Sequence, residues 1–413
     1  MKLLHTSDWH LGRTLYGKKR YREFDLFLNW LLDTIAENQI DVLIIAGDVF
    51  DTTTPGNRAQ QQYYRFLLDA RDAGCRHIVV IAGNHDSPSF LDAPKPLLQS
   101  MHVHVVGTMP ESIEDEVVVI RDVTGAPELV ICAVPHLRDR DLRRAETGES
   151  EEMRQRNATE GLAAHYNDVL IAAQKIAAQK AAGTRTSVPI VATGHLFTAG
   201  ARCIDGDGVR DLYVGTLAHL NASAFSDRFD YVALGHLHVP QIAGGRPNVR
   251  YSGSPLPMGF GEATQQKEVV EAKWQNGAIT LTAIPIPCFQ RLARVKGDMP
   301  AIDAQLRQLA TTGESIWLEV DYTGDALIPD LKKQISTMVE NTPLEVLRIH
   351  NARVFNQVLR SVEKSEDLAE LDVTDVFRRL LQAAKIPAEQ HDELLCCHDE
   401  IRRLFHEADR KAE

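Results

Sequence analysis

Five times in the first 240 residues, a short apolar run of the kind that forms a buried strand gives way to a loop bearing Asp, Asn or His. The elements are Asp8-Trp9-His10, Gly47-Asp48-Val49-Phe50-Asp51, Gly83-Asn84-His85-Asp86, Gly194-His195 and Gly235-His236-Leu237-His238. A strand is a rigid mount, and loops at one end of a sheet face a common rim. The pattern therefore predicts an α/β fold with its polar side chains gathered along one edge. Glycine at 47, 83, 194 and 235 supplies tight turns and room for close backbone approach.

The hydrophobic periodicity fills in the scaffold. Strands are expected at Lys2 to Thr6, Val42 to Ala46 and Ile78 to Ala82, alternating with helices at Arg22 to Asn38 and Arg58 to Asp72. Beyond Met101, apolar runs at Val103 to Val106, Glu116 to Ile120 and Leu129 to Ala133 follow one another without clear helices, which predicts a second, more antiparallel sheet. The charged stretch from Arg138 to Thr159 reads as an exposed excursion ahead of a helix from Gly161 to Lys180. Strands return at Pro189 to Thr193, Tyr231 to Leu234, Val249 to Ser252, Glu268 to Trp274 and Ala278 to Ile284.

Pro285 and Pro287 mark the expected end of a catalytic domain, 1–286. A compact strand-helix-strand-helix-strand module follows in 287–354, with helices at Ala301 to Leu309 and Ala326 to Glu340. The remainder, 355–413, reads as a linker at Ser361 to Glu370 and two amphipathic helices, Val373 to Ala384 and Ala388 to Ala408. At 413 residues the chain is long enough for such a division.

Carboxylate, carboxamide and imidazole donors together suit divalent cations. Two cations roughly 3.5–4 Å apart can hold a phosphate, activate water and stabilise a leaving oxygen. Asp48 is the expected bridge, because its two oxygens can reach both ions. Asp8, His10 and His238 are assigned to one metal, and Asn84, His195 and His236 to the other. The absence of thiolate favours Mn²⁺ over Fe²⁺, Zn²⁺ or Mg²⁺. His85 is better suited to contacting the phosphate or protonating the departing alkoxide. Asp51 is its expected partner, with the carboxylate accepting the other ring N–H and fixing the tautomer.

This ordered set resembles the signature of the calcineurin-like metallophosphoesterases. Leu4-His5-Thr6-Ser7-Asp8-Trp9-His10-Leu11-Gly12, Ala46-Gly47-Asp48-Val49-Phe50-Asp51 and Tyr251-Ser252-Gly253-Ser254-Pro255 narrow the likeness to the nucleases that process DNA ends beside a coiled-coil ATPase. The resemblance covers Met1 to about Pro257. It implies a two-sheet β-sandwich flanked by helices, a small α/β capping domain that orients DNA over the metals, and C-terminal helices. It further implies two Mn²⁺ ions, 3′-to-5′ exonuclease and endonuclease action on DNA ends and hairpins in repair and recombination, and a homodimer. The terminal helices are expected to dock on the ATPase. In competition stand a phosphodiesterase for a small nucleotide, which would use the same ligands, and a scaffold without catalysis, which would have no use for His85.

Charge and cysteine usage bound these readings. A net charge of −12 rules out coating nucleic acid by overall positive charge, so any DNA contact must be local, metal-mediated or shared with a partner. Lys296, Lys332, Lys333 and Arg348 are candidate phosphate contacts, though scattered lysines on an acidic protein more often mark a solvated face. The six cysteines form no CxxC pair and read as reduced thiols. With no apolar stretch of membrane-spanning length, the expected location is the cytoplasm, near the nucleoid. Tyr63, Tyr64, Phe66, Leu67 and Leu68, with the segment Phe90 to Met101, are candidates for the dimer surface.

Overall fold

The first and second layers of the molecule are built on strict alternation along short strands. The computed structural model describes residues 1–122, 124–142, 150–181, 188–198, 220–324, 326, 328–351, 391, 394 and 395. The chain runs β1 (Lys2–Thr6), a small hairpin of β2 (Thr14–Leu15) and β3 (Lys18–Lys19), α1 (Tyr21–Asn38), β4 (Val42–Ala46), α2 (Asn57–Asp72) and β5 (His77–Ile81). Short helices α3 (Pro88–Asp92) and α4 (Lys95–Gln99) lead to β6 (Val103–Val106), β7 (Val117–Arg121) and β8 (Pro127–Cys132). Then come α5 (Asp139–Leu142), α6 (Glu151–Ala181), β9 (Ile190–His195), β10 (Tyr231–Gly235), β11 (Gln241–Ile242), β12 (Val249–Tyr251), β13 (Glu268–Gln275) and β14 (Ala278–Pro285).

Two six-stranded sheets result, ordered β14-β13-β1-β4-β5-β6 and β11-β12-β10-β9-β8-β7. Because side chains alternate across a strand, each sheet has two apolar faces. Leu3, Val42, Ile44, Val79 and Ile81 of the first sheet meet Leu129, Ile131, Val191, Tyr231 and Ala233 of the second, forming the sandwich interior. Leu4, Leu43, Ile45, Ile78 and Val80 point the other way, onto Phe24, Phe27, Leu31 and Ile35 of α1 and Phe66, Leu67 and Ala70 of α2. On the far side, Cys132, Ala192, Val232 and Leu234 are covered by Tyr166, Val169, Leu170 and Ala173 of α6. The expected two-sheet sandwich flanked by helices is the fold observed.

Three sequence readings need correction. The second sheet is not mainly antiparallel: β8, β9, β10 and β12 run parallel, and only the edge strands β7 and β11 are antiparallel. Nor does β6 belong to it, since β6 pairs with β5 in the first sheet. Part of the supposed excursion is helix, because α6 begins at Glu151 and buries Ala158 as well as Leu162. Its first turns are charged because they need only one apolar stripe.

The chain divides into two compact units, Met1–Leu292 and Ala293–Glu413. In the second unit, β15 (Arg291–Gly297), β16 (Ile316–Tyr322) and β17 (Leu344–Asn351) form a three-stranded sheet, with α7 (Met299–Ala310) and α8 (Leu331–Val339). Asp298 caps α7 by accepting a hydrogen bond from the Ala301 N–H at 3.0 Å. The helix expected from Ala326 starts five residues later, beyond Pro329, whose ring and missing N–H do not suit a helix interior. Arg348 is engaged by Glu319 at 3.0 Å and so is not simply a solvated cation. The terminal helices expected at 373–384 and 388–408, and the linker before them, lie outside the described residues, as do Cys203, Cys396 and Cys397.

Of the residues read as a dimer surface, Tyr63, Phe66 and Leu67 are buried in the chain's own core, whereas Leu68 and Leu97 are 53% and 67% exposed. No helix among the described residues is long and apolar enough to cross a membrane.

Leu31 is fully buried between α1 and the sheet, so Leu31→Ala should lower unfolding free energy by about 2–5 kcal/mol in chemical denaturation. His5 offers a pH test. It is enclosed in the sandwich beside the Tyr231 hydroxyl at 2.8 Å, and burial lowers its pKa to about 3. The unfolded chain, with an ordinary His, therefore binds the extra proton first as pH falls. Stability contributed by neutral His5 should be complete above about pH 6.5 and drain away down to about pH 3, by at most about 1.4 kcal/mol per pH unit. His5→Gln should flatten the acid limb of the metal-free unfolding curve by one proton.

Candidate metal centre

Parallel strands place their C-terminal ends together, and β1, β4 and β5 in one sheet with β9 and β10 in the other deliver all five polar loops to one rim. The first loop is stitched to the second by main-chain bonds: Asp8 N–H to Gly47 O at 3.0 Å, His10 N–H to Asp48 O at 2.9 Å and Leu11 N–H to Val49 O at 2.9 Å. The third is latched to the second by Asp86. Its buried carboxylate accepts the N–H groups of Val49, Phe50 and Gly83 at 2.9–3.1 Å. Burial, reinforced by nearby Asp48, raises the Asp86 pKa to about 6.

Four of the candidate ligands adopt a left-handed backbone, with φ of 53° at Asp8, 48° at His10, 49° at Asp48 and 100° at His236. Side chains other than glycine adopt this region at a cost, which the surrounding fold must overdetermine. What it achieves is direction: the side chain leaves the strand axis and turns into the rim.

The seven expected metal ligands converge. Asp8, His10 and His238 form one group whose donor atoms lie within 4.8 Å of one another, and Asp8, Asp48 and His195 form a second. Asp48 lies between the two halves, with Oδ2 3.6 Å from His10 Nε2 and 3.2 Å from His195 Nε2. Its other oxygen accepts the His85 backbone N–H at 2.8 Å. Asn84 Oδ1 completes the second group, 3.1 Å from His195 Nε2 and 2.9 Å from His236 Nδ1. On the other side, His10 Nε2 and His238 Nε2 face each other at 3.2 Å.

The chemistry of this donor set fits a cation. His195 Nδ1 donates to the Ala46 carbonyl oxygen at 2.9 Å, because a carbonyl can only accept. In the neutral ring Nε2 is then a bare lone pair aimed at two oxygens, Asp48 Oδ2 and Asn84 Oδ1. Three acceptors facing one another need a positive charge among them. With a proton as the sole supply, His195 takes it: burial would lower its pKa, but the Asp48 and Asp8 carboxylates raise it to about 9. Anchoring Nδ1–H on a carbonyl is also how proteins orient an imidazole whose Nε2 binds metal.

The other groups respond to the same field. Burial would raise the Asp48 carboxyl, yet the imidazoles of His195 and His10 hold it well below the usual range. Asp8, with fewer such neighbours to offset its burial, is pushed up. Burial takes His10 down to about 4 and His236 well below its ordinary value, so both present lone pairs at neutral pH.

Asp51 corrects one expectation. His85 Nδ1 donates at 3.0 Å to the backbone carbonyl of Asp51, not to its carboxylate. The carboxylate instead lies 3.3 Å from His10 Nδ1 and accepts from Arg13 at 3.0 Å. The reason is reach: Leu11 and Phe50 form an isolated bridge between the first and second loops, which brings the Asp51 side chain beside the first loop while its carbonyl faces the third. Burial would raise its carboxyl, but His10 and Arg13 lower it to about 2.

Several supporting residues escaped the sequence reading. Ser7 Oγ donates to Asp8 Oδ2 at 2.5 Å, Arg13 holds Asp51, and His136 Nδ1 donates to the His195 carbonyl at 3.1 Å. Glu262 and Lys267, both buried, lie behind His238. Ser7 lies inside the Leu4 to Gly12 motif and Arg13 directly after it, but neither residue type is a metal donor of the kind the pattern singles out; His136, Glu262 and Lys267 belong to none of the five strand-end loops.

Residues 1–240 match the family described as calcineurin-like phosphoesterase, and residues 288–385 match one described as type 5 capsule protein repressor C-terminal domain. The chain is 36% identical to the SbcD component of the nuclease SbcCD of Escherichia coli (strain K12), over 95% of this chain and 96% of that protein. Its likeness to the corresponding SbcCD nuclease component of Rhodobacter capsulatus is 32% over 84% and 86%, and to that of Bacillus subtilis (strain 168) 36% over 67% and 69%.

Two substitutions test the geometry. A Cβ at Gly83 would lie 2.1 Å from Asp48 Oδ1, so Gly83→Ala must displace the carboxylate. Asp48→Asn removes the charge and leaves the loop in place. Both variants should lose bound divalent metal when content is measured by elemental analysis; full retention by Asp48→Asn would refute the bridging position.

Proposed function

As a member of the calcineurin-like phosphoesterases and, within them, of the SbcD nuclease family, this chain is a metal-dependent phosphodiesterase of the nuclease type, and we propose that its substrate is DNA. In this reading it is an Mn²⁺-dependent 3′-to-5′ exonuclease on double-stranded ends and an endonuclease on ends and hairpins, acting in repair and recombination. Supporting it is the convergence of seven oxygen and imidazole donors on one rim in a chain that matches a nuclease component along almost its whole length.

Two divalent ions, when bound, supply Lewis-acid polarisation of the phosphate and activation of water. Asp8, His10 and His238 would hold one, Asn84, His195 and His236 the other, with Asp48 between them; the donor set, free of thiolate, suits Mn²⁺. His85 has a different task. Its Nδ1–H is committed to the Asp51 carbonyl, which leaves Nε2 as the nitrogen that meets the phosphoryl oxygens or passes a proton to the leaving sugar oxygen. Asp51 serves the chemistry indirectly, with the carbonyl orienting His85 and the carboxylate steadying His10.

The division of labour we propose follows the expected domains: catalysis in 1–286, DNA orientation by the capping domain in 287–354, and docking to an SbcC-like coiled-coil ATPase by helices in 355–413. Exposed Leu68 and Leu97 support a homodimer formed through α2 and the 90–101 segment.

The test uses the purified chain with Mn²⁺ or Mg²⁺ on linear duplex, hairpin DNA and a chromogenic phosphodiester, with and without the ATPase partner. His85→Ala should lower turnover by roughly 10²–10⁴-fold while bound metal stays at the wild-type level. Hydrolysis of the small diester with both DNA substrates untouched, even beside the partner, would overturn the DNA reading.

A further inference from the structure

Behind His238, on the side away from the metal-facing nitrogen, sits a buried ion pair with no part in the chemistry described so far. Glu262 is fully buried and Lys267 is 4% exposed. The Lys267 ammonium donates to Glu262 Oε2, to Ser254 Oγ at 3.1 Å, to Gln265 Oε1 at 3.2 Å and to the backbone carbonyl of His238 at 2.9 Å. Glu262 Oε2 also accepts the Met258 N–H at 3.1 Å. The other carboxylate oxygen, Oε1, has no hydrogen-bond partner, and it lies 3.5 Å from His238 Nδ1.

We propose that Glu262 and Lys267 act as one positioning unit for His238, with the carboxylate taking the Nδ1–H of the ring and the ammonium fixing its main chain. The inference rests on the reading of His238 as a metal ligand. Its first support is geometric: one buried pair reaches both the ring and the backbone of a single residue, with Glu262 Oε1 3.5 Å from the ring Nδ1 and the Lys267 ammonium 2.9 Å from the main-chain carbonyl. A second support is energetic. Burying two charges costs several kcal/mol of desolvation, and an apolar pair of similar volume is often as stable, so a buried pair is poorly explained by stability alone. The third is chemical. A carboxylate at Nδ1 selects the tautomer whose Nε2 is a lone pair, raises that nitrogen's basicity and stops ring rotation. His10 Nε2, at 3.2 Å from His238 Nε2, marks where the lone pair is aimed.

The pair also closes the loop that carries it. Glu262 ends a short 3₁₀ turn, Phe260–Glu262, and Lys267 immediately precedes β13. Ser254 N–H, in the Tyr251-Ser252-Gly253-Ser254-Pro255 segment, donates to the same His238 carbonyl at 3.2 Å. Gly253 is required there, since its φ is +74° and a Cβ would lie 2.7 Å from that oxygen.

Three variants of the full chain are compared by calorimetric Mn²⁺ titration: Glu262→Gln, the charge-neutral double variant Glu262→Gln/Lys267→Met, and His238→Ala. Both Glu262 variants should bind one Mn²⁺ as wild type does and the other about 10–100-fold more weakly. Wild-type affinity for both ions in the double variant would overturn the proposal, whatever happens to its metal-free melting temperature. Should His238→Ala also keep both ions, the ligand reading itself fails, which separates the two failures. A measurement on the wild-type chain covers the case in which the variants do not fold. In the zinc-loaded protein, histidine ¹⁵N spectroscopy should show His238 protonated at Nδ1 with a downfield, slowly exchanging proton; protonation at Nε2 overturns the proposal.

Discussion

The centre depends on a concentration of lone pairs that cannot stand without positive charge. His195 shows the constraint most directly, because the Ala46 carbonyl commits its Nδ1–H and leaves Nε2 facing two oxygens. Around it lie the Asp8 and Asp48 carboxylates and the paired Nε2 atoms of His10 and His238, nearly all of them out of contact with solvent. Burying such a set costs free energy that only a cation among the donors can offset. Folding and metal binding are therefore linked: an ion bound only by the folded chain stabilises it in proportion to the logarithm of its concentration over Kd.

Holding mutually repelling groups together falls to the backbone. Four ligands sit at positive φ, and the loops bearing them are joined by main-chain bonds and by the Asp86 carboxylate, to which Asp48 on the His85 N–H and Asp8 on the His236 N–H add side-chain to main-chain ties. Glycine makes the approach possible: a Cβ at Gly235 would lie 1.9 Å from the Ala46 carbonyl oxygen. The four-layer core then serves the rim, since parallel strands anchored on both faces by apolar alternation fix where their ends emerge. A one-residue slip in any ligand-bearing strand would turn that strand's end to the wrong face.

Much of this was legible in the sequence for a physical reason. Strand ends followed by Gly-Asp, Gly-Asn-His or Gly-His carry both backbone and ligand information in adjacent positions, so Asp48, Asn84, His195 and His236 could be named from the sequence, and Asp8 from the Asp-Trp-His that follows β1. Strand β4 falls on its expected residues because its apolar run is continuous, and β1, with only Leu3 and Leu4 apolar, also falls on its expected residues. What stayed hidden was of another kind. Strand direction in the second sheet depends on crossovers that periodicity does not report. The Asp51 contact depended on whether a carbonyl or a carboxylate of one residue faced His85, and sequence does not distinguish the two. Glu262 and Lys267 were invisible because a buried charge pair looks, residue by residue, like any solvated Glu and Lys.

The acidic balance of the chain gives the metal centre a second significance. At −12 the protein as a whole repels a polyphosphate, and long-range steering works against its approach. The positive charge that draws in a phosphodiester must then be concentrated among the buried donors that would hold the cations, where low-dielectric protein screens charge poorly. Such a centre holds one phosphate strongly and contributes little along the rest of a nucleic-acid backbone. On the reading of DNA as substrate, the remaining phosphate contacts have to come from groups outside the centre, and in the second unit Arg348 already shares its charge with Glu319. On an acidic body, the pull on a phosphodiester is therefore short in range and confined to the rim where the seven donors converge.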